Sequence, residues 1–153
     1  MFSILLNIGC DQATKEIARN HIDYDQKITV IEDVFSLMRV ENTGAFLSLG
    51  SELGSYSKCI LLNILPLLVL CIFLVYVLFN KEFSLNKALT ISFIVGGGFG
   101  NLYDRIIYGS VTDFMHIDFY LFETGIFNMA DLSIVIGLVW FLIDSVKIRK
   151  SPQ

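Results

Sequence analysis

The chain has 153 residues, 54% of them hydrophobic and 17% charged, with a mean hydropathy of +0.65. A soluble domain of this size has too little interior to hide so much apolar surface, so residues 1–153 are read as one small membrane domain. A formal net charge of −4 and a sequence pI near 5.0 leave no basic patch, which excludes nucleic acid as a partner.

The apolar residues come in blocks instead of alternating with polar ones. That favours a mainly α membrane protein, a helical bundle, over a transmembrane β-barrel. At the N-terminus, Met1 to Cys10 would rise only about 15 Å as a helix, half of a hydrocarbon core of about 30 Å. Continuing through Asp11-Gln-Ala-Thr-Lys15 towards Ile22 completes a crossing, and Asp11 and Lys15 have the i, i+4 order that supports it. A cleaved signal peptide fits less well, since neither a basic leader nor a small-residue cleavage site precedes Asp11. The first span is placed at about residues 1–20 and taken as retained.

Lys27-Ile-Thr-Val-Ile31 and Phe35-Ser-Leu-Met-Arg-Val40, parted by Glu32-Asp33, read as short strands. Asn42-Thr-Gly-Ala-Phe46 follows as a turn-like polar tip suited to a membrane interface. The clearest span is 60–79, apolar but for Asn63, which is expected to hydrogen-bond to a neighbouring helix, and Pro66, which is expected to kink it. Another runs over 88–104, where Gly96 and Gly100 have the small-xxx-small spacing that lets helices approach closely. The last covers 129–146. Lys147, Arg149 and Lys150 follow it, and Lys81 and Lys87 sit in the connection before the third span. The positive-inside rule then places these cations and both termini in the cytoplasm, and turns residues 23–58 and 103–128 outward. Cys10, Cys59 and Cys71 show no CxxC spacing and read as small hydrophobes. His21 and His116 form no ligand pair, so no metal and no cofactor is expected.

Two acids stand out against this background. Asp113 in Val111-Thr-Asp-Phe114 and Asp131 in Phe127-Asn-Met-Ala-Asp131 are polar islands among apolar segments, where an ionisable side chain costs roughly 2.5 to 3.5 kcal/mol on insertion scales. Neighbouring carboxylates cannot both ionise cheaply. They share a proton, and the pair then holds a base and an acid at one pH, which suits peptide hydrolysis through an activated water. Asn101 and Arg105 are four apart on one helical face and Asn128 precedes Asp131 by three, so amides and a guanidinium are positioned to converge on the pair. The competing reading of Arg105 is a salt bridge to Asp104 or to a lipid phosphate.

Asp11-Gln-Ala-Thr-Lys15, Asn42-Thr-Gly-Ala45, Gly96-Gly-Gly-Phe-Gly-Asn-Leu-Tyr-Asp-Arg105, Val111-Thr-Asp-Phe114 and Phe127-Asn-Met-Ala-Asp131, in this order, resemble lipoprotein signal peptidase, or signal peptidase II, over nearly the whole chain. The resemblance implies a multi-pass aspartic endopeptidase of the bacterial inner membrane. Its fold would be a bundle of four transmembrane helices with a small extracytoplasmic β-cradle and a short, mobile extracytoplasmic helix. Its substrates would be diacylglyceryl-modified prolipoproteins, cut before the lipidated cysteine near the extracytoplasmic face. A globomycin-type inhibitor would occupy the site, and the chain is expected to work among membrane lipid as a monomer. Asp113 and Asp131 match the catalytic dyad. Asn42, Asn101, Arg105 and Asn128 match polar residues lining the site, and Asp11, Lys15 and Asp104 match structural or supporting positions.

The sequence departs from that pattern in places. Gly44-Ala-Phe-Leu-Ser48 lacks a second alanine, which bears on local pocket shape. His116 stands where another acid is usual, either as a surface residue or as one that tunes the pH response. Two other classes fit parts of the sequence: a proton-coupled transporter would use the acids but leave Asn42 and the outer strands idle, and a structural membrane protein would use only the glycine-rich helix.

Overall fold

A computed structural model describes residues 1–45, 48–80 and 84–150, residues 147–150 by backbone alone. Lys81, Phe46, Leu47 and the side chains of Lys147, Arg149 and Lys150 therefore lie outside the described residues. The chain is mainly helical with a small antiparallel sheet. Helix α1 is Phe2–His21, α2 is Ser55–Phe79, α3 is Leu85–Tyr108 and α4 is Met129–Lys150. Strands β1 (Lys27–Ile31), β2 (Phe35–Asn42), β3 (Val111–Phe119) and β4 (Phe122–Glu123) pair in sequence order. The described part of residues 43–54 forms turns and does not by itself define the expected short outer helix.

Two of the helices, Ser55–Phe79 and Met129–Val146, are long and apolar enough to cross a membrane. Helix α2 turns Ile60, Leu61, Leu68, Ile72 and Phe79 outward. Helices α1 and α3 are less apolar because polar residues line the faces they turn inward: Asp11 and Lys15 on one, Thr90, Asn101 and Asp104 on the other are all buried. Apolar outside and charged inside is the reverse of a soluble protein and suits a lipid solvent.

Helix α3 sits among the other three. A Cβ on Gly96 would meet Asn7 of α1 at 2.7 Å, one on Gly97 would run into the Ala130 carbonyl of α4, and one on Gly98 would touch Leu70 of α2. The run of glycines thus serves a different neighbour at each step. Ile4, Leu70, Ile91, Val95 and Leu102 form the buried apolar cluster between α1, α2 and α3. A second cluster, Ala18, Ile22 and Phe114, with Ile28, Leu37 and Met115 against it, seats the sheet on the C-terminal end of α1. Helix α3 begins with Ser84 accepting a hydrogen bond from the Lys87 N–H and ends at Gly109, whose φ of 78° turns the chain directly into β3.

Just ahead of Pro66, Cys59–Ile64 widen into a π-helical stretch, which accommodates the amide that proline lacks. Asn63 lies in that stretch and, among the described residues, makes no side-chain hydrogen bond to another helix. The three cysteines are free and exposed, as small apolar residues among the outward-facing side chains. His116 is buried and not a surface residue; its Nε2 lies 3.2 Å from Glu123 Oε1 across the β3–β4 pair.

Candidate active site

The register of the sheet makes the first half of the site. Asn42 pairs with Val111 and Val40 with Asp113, so Asn42 and Asp113 are diagonal neighbours on one face. Asn42 Nδ2 donates to Asp113 Oδ2 at 3.0 Å and to the Ala45 carbonyl at 3.0 Å, while its Oδ1 accepts the Gly44 N–H at 2.9 Å. The turn that follows β2 thereby locks the Asn42 amide with its NH₂ towards the acid.

The start of α4 makes the second half. Asn128 caps the helix: its Oδ1 accepts the Asp131 N–H at 3.0 Å, and Asp131 Oδ2 accepts the Asn128 N–H at 3.2 Å, a reciprocal capping box. With its oxygen committed, Asn128 turns Nδ2 outward and donates to Asp113 Oδ1 at 2.5 Å and to Asn101 Oδ1 at 3.1 Å. Asn101 Nδ2 in turn donates to Asp131 Oδ1 at 2.8 Å. All four carboxylate oxygens of Asp113 and Asp131 therefore accept an N–H, and Asn128 joins the two acids directly.

Asp113 is only 3% exposed. Burial pushes its carboxyl up to about 6; the hydrogen bond from Asn42 pulls it back, the nearby Asp131 charge adds to the rise, and Asn128 and Lys15 oppose it. A value so close to neutrality suits proton transfer.

A cavity of about 280 Å³ opens onto both acids. Asn42, Asn101 and Arg105 supply further polar groups to its lining, and Pro66, Val69, Leu70, Ile94, Leu102 and Ile134 of α2, α3 and α4 make the rest mostly apolar.

Behind the acids lies a buried charge network. Lys15 Nζ is 2.8 Å from Asp11 Oδ2, 3.0 Å from Asp104 Oδ2 and 2.9 Å from Asn101 Oδ1. Asp11 Oδ1 accepts the Ala130 N–H at 2.9 Å, tying α1 to the first turn of α4. Gln12 Nε2 donates to Asp104, to Asp11 and to the Gly100 carbonyl, and Arg19 pairs with Asp104 at 3.0 Å.

Asn42, Asn101, Asn128, Asp113 and Asp131 thus meet at one place, with Lys15, Asp11 and Asp104 directly behind. Arg105 lines the cavity but does not clasp either acid. It donates to the Gly44 carbonyl at 2.9 Å, and among the described residues it makes no ion pair with Asp104, whose partners are Lys15 and Arg19. Gln12, Arg19, Thr112 and the Ala130 N–H had no assigned part in the sequence reading. Asp11, Gln12, Lys15 and Arg19 recur at helical spacing on α1, and that polar stripe on a membrane helix was the available signal for two of them.

A family model described as signal peptidase (SPase) II matches residues 3–147. The chain belongs to the signal peptidase II family. A lipoprotein signal peptidase of Pelodictyon phaeoclathratiforme is 37% identical over 92% of this chain and 85% of its own length, and one from Buchnera aphidicola subsp. Schizaphis graminum is 34% identical over 91% and 88%. A solved structure described as a bacterial membrane enzyme, obtained by the in meso method at 2.3 Å resolution, superposes with a TM-score of 0.88 over 99% of this chain and 90% of that one. At 24% identity that likeness speaks to the fold.

Proposed function

We propose that this peptidase removes the signal peptide from diacylglyceryl-modified prolipoproteins, with Asp113 and Asp131 as its catalytic dyad. The carrying observation is that every oxygen of two closely placed carboxylates is held by an N–H beside a mostly apolar cavity. The ionised member takes a proton from a water molecule as its oxygen attacks the scissile carbonyl. The protonated member donates to the developing oxyanion, and the amine leaves with a proton returned from the dyad. Neither a covalent intermediate nor a metal enters these steps.

All four helices span the bacterial inner membrane in this reading, with both termini cytoplasmic and the sheet and dyad at the outer face. The charges of α1 and α3 satisfy one another inside the bundle, which allows those two helices to cross despite Asp11, Lys15 and Asp104. The signal peptide lies in the mostly apolar cavity, and the lipidated cysteine stands just past the cut with its acyl chains in the bilayer. Asn42, Asn101 and Asn128 hold the acids, while Arg105 steadies the turn at Gly44 beside the cavity. A globomycin-type inhibitor would compete for the same space.

The test is cleavage of a purified diacylated prolipoprotein by the wild type, Asp113→Asn and Asp131→Asn. Each substitution is expected to lower kcat by at least about a thousandfold, since dyad members act as a unit, while the protein still inserts and binds the inhibitor. Cleavage near the wild-type rate in either variant defeats the assignment.

A further inference from the structure

The chain passes from one acid to the other through a single hairpin. Asp113 lies on β3, the chain turns back at Tyr120-Leu121 into β4, and it reaches Asp131 in the first turn of α4. The returning limb is tied to the outgoing one beside the acids: the Phe114 and Met115 N–H groups both donate to the Phe127 carbonyl, at 3.0 and 2.8 Å, and the Phe127 N–H donates to the Met115 carbonyl at 2.9 Å. Whatever fixes the height of this hairpin therefore bears on both carboxylates.

Its tip is not made for water. Asp118 pairs with Glu123 and Phe119 with Phe122, which leaves Tyr120 and Leu121 as the turn. Two-residue turns in water favour Gly, Asn or Asp, above all where φ is positive. Here Tyr120 takes a φ of 50° and a leucine follows it. Residues 119–122 are 61%, 97%, 100% and 66% exposed in chain order, an unbroken cap of large apolar side chains flanked by the charges of Asp118 and Glu123. The backbone of the cap is provided for, since Leu121 N–H donates to the Phe119 carbonyl within the turn, and apolar surroundings require such pairing.

What covers the cap follows from Phe122, which lines a cavity of about 270 Å³ together with Leu132 and Val135 of α4. Leu132 and Val135 are themselves turned outward and belong to Met129–Val146, 18 residues long and apolar enough to cross a membrane. A helix of that length rises about 27 Å, so a crossing uses nearly all of it, its first two turns included. Phe122 stands beside those turns, and the cap thus continues the face that α4 offers to lipid.

Resting on the proposed topology, in which α4 enters the membrane at the outer face, we propose that residues 119–122 are seated in the outer leaflet beside α4 and hold the two acids at a fixed depth in the bilayer. Phe and Tyr rings suit the level where hydrocarbon meets headgroups, with Asp118 and Glu123 on the headgroup side. The partner is lipid, because beyond the Tyr120 hydroxyl the cap offers no side-chain charge or hydrogen-bonding group with which to select a protein.

The experiment places a tryptophan at the tip, Leu121→Trp, in a Trp140→Phe background that removes the chain's single native tryptophan. The full chain is reconstituted in vesicles of phosphatidylethanolamine and phosphatidylglycerol. Emission should be shifted to the blue and lost when the acyl chains carry bromine, and it should largely survive iodide in the water. Quenching by iodide at least as strong as by brominated lipid, or quenching by neither, overturns the proposal; the second result would mean that protein covers the tip. Tyr120→Asp/Leu121→Asp tests the depth of the acids. It should lower kcat/KM for a diacylated prolipoprotein about tenfold in bilayers, since a charge near the interface costs less than one at the midplane, and leave it unchanged in detergent. Equal losses in the two media, or none in bilayers, overturn the role in depth. Should that variant fail to fold, Leu121→Gln is measured under the same criteria. The quenching requires no substrate, so absence of cleavage by the wild type defeats the proposed function alone, whereas iodide quenching with cleavage intact defeats only the seating of the tip.

Discussion

At Asp113 the requirements of chemistry and of stability pull in opposite directions. The folded protein holds a proton there up to about pH 6, whereas an unfolded carboxyl releases it near 3.8. Between those values the native state binds more protons than the unfolded one, so stability falls as pH rises through that window and stays lower above it. The rise from 3.8 to about 6 corresponds to roughly 3 kcal/mol at most. Asp113→Asn removes the titration but also leaves one oxygen to serve both Asn42 and Asn128. The expected outcome in thermal unfolding is a wild type that loses Tm between about pH 4 and pH 6 and a variant whose Tm is distinctly flatter over that range. Parallel curves would show that Asp113 is not the group that titrates. The two acids were legible in the sequence because ionisable residues in apolar surroundings are costly, and Asn128 because three residues separate it from a first-turn acid. The partner of Arg105 was not legible: it is a backbone carbonyl, and no side-chain pattern reports where a carbonyl of a turn points.

Among elements, α3 carries most of the geometry. Its Gly96 and Gly100 spacing announced a close helix contact, but spacing alone does not say which neighbour each glycine meets, since that depends on how the helix is rotated in the bundle. The structure answers for Gly97, whose Cβ position is filled by the Ala130 carbonyl of α4 and lies 2.9 Å from Ile134 Cγ1. A backbone atom cannot step aside. Gly97→Ala must push α4 away, and the segment it displaces contains Asp131 and the Ala130 N–H that Asp11 holds. Gly98→Ala meets only the end of the Leu70 side chain, which can rotate. Gly97→Ala should lower stability by about 1 to 3 kcal/mol, as overpacking does, and reduce cleavage with it. Gly98→Ala should stay within about 1 kcal/mol of wild type, since alanine's better helix propensity offsets the crowding. Thermal unfolding of both variants checks this, and equal effects would mean that α3 is not wedged against α4 in the way described. Strands β1 and β2 were legible from β-branched residues and the turn at Glu32-Asp33; β3 and β4 were not read as strands, and neither was the π-helical stretch ahead of Pro66 foreseen, because a one-residue widening leaves hydrophobic periodicity almost untouched.

Taken as a whole, the molecule turns apolar side chains of its helices outward and gathers its buried charges, Asp11, Lys15, Asp104 and Asp113, together inside. A site built in this way reaches a peptide bond only when the bond is held at the height of the dyad. A signal peptide can slide along an apolar cavity, but two acyl chains on the residue just past the cut fix the depth, since each buried CH₂ contributes about 0.8 kcal/mol and two chains anchor where one barely does. On the proposed function, lipidation acts on the substrate as a tether that raises its effective concentration at the carboxylates. Removing it should leave the intrinsic chemistry intact and mainly raise KM, so that kcat/KM for an unacylated precursor falls by about a hundredfold or more, at the lower end of what tethering supplies. Parallel assays of acylated and unacylated forms of one precursor, in bilayers and not in detergent, where micelles blur depth, provide the measurement. Equal turnover of the two forms would mean that depth is set by the protein alone and that the acyl chains take no part in presenting the bond.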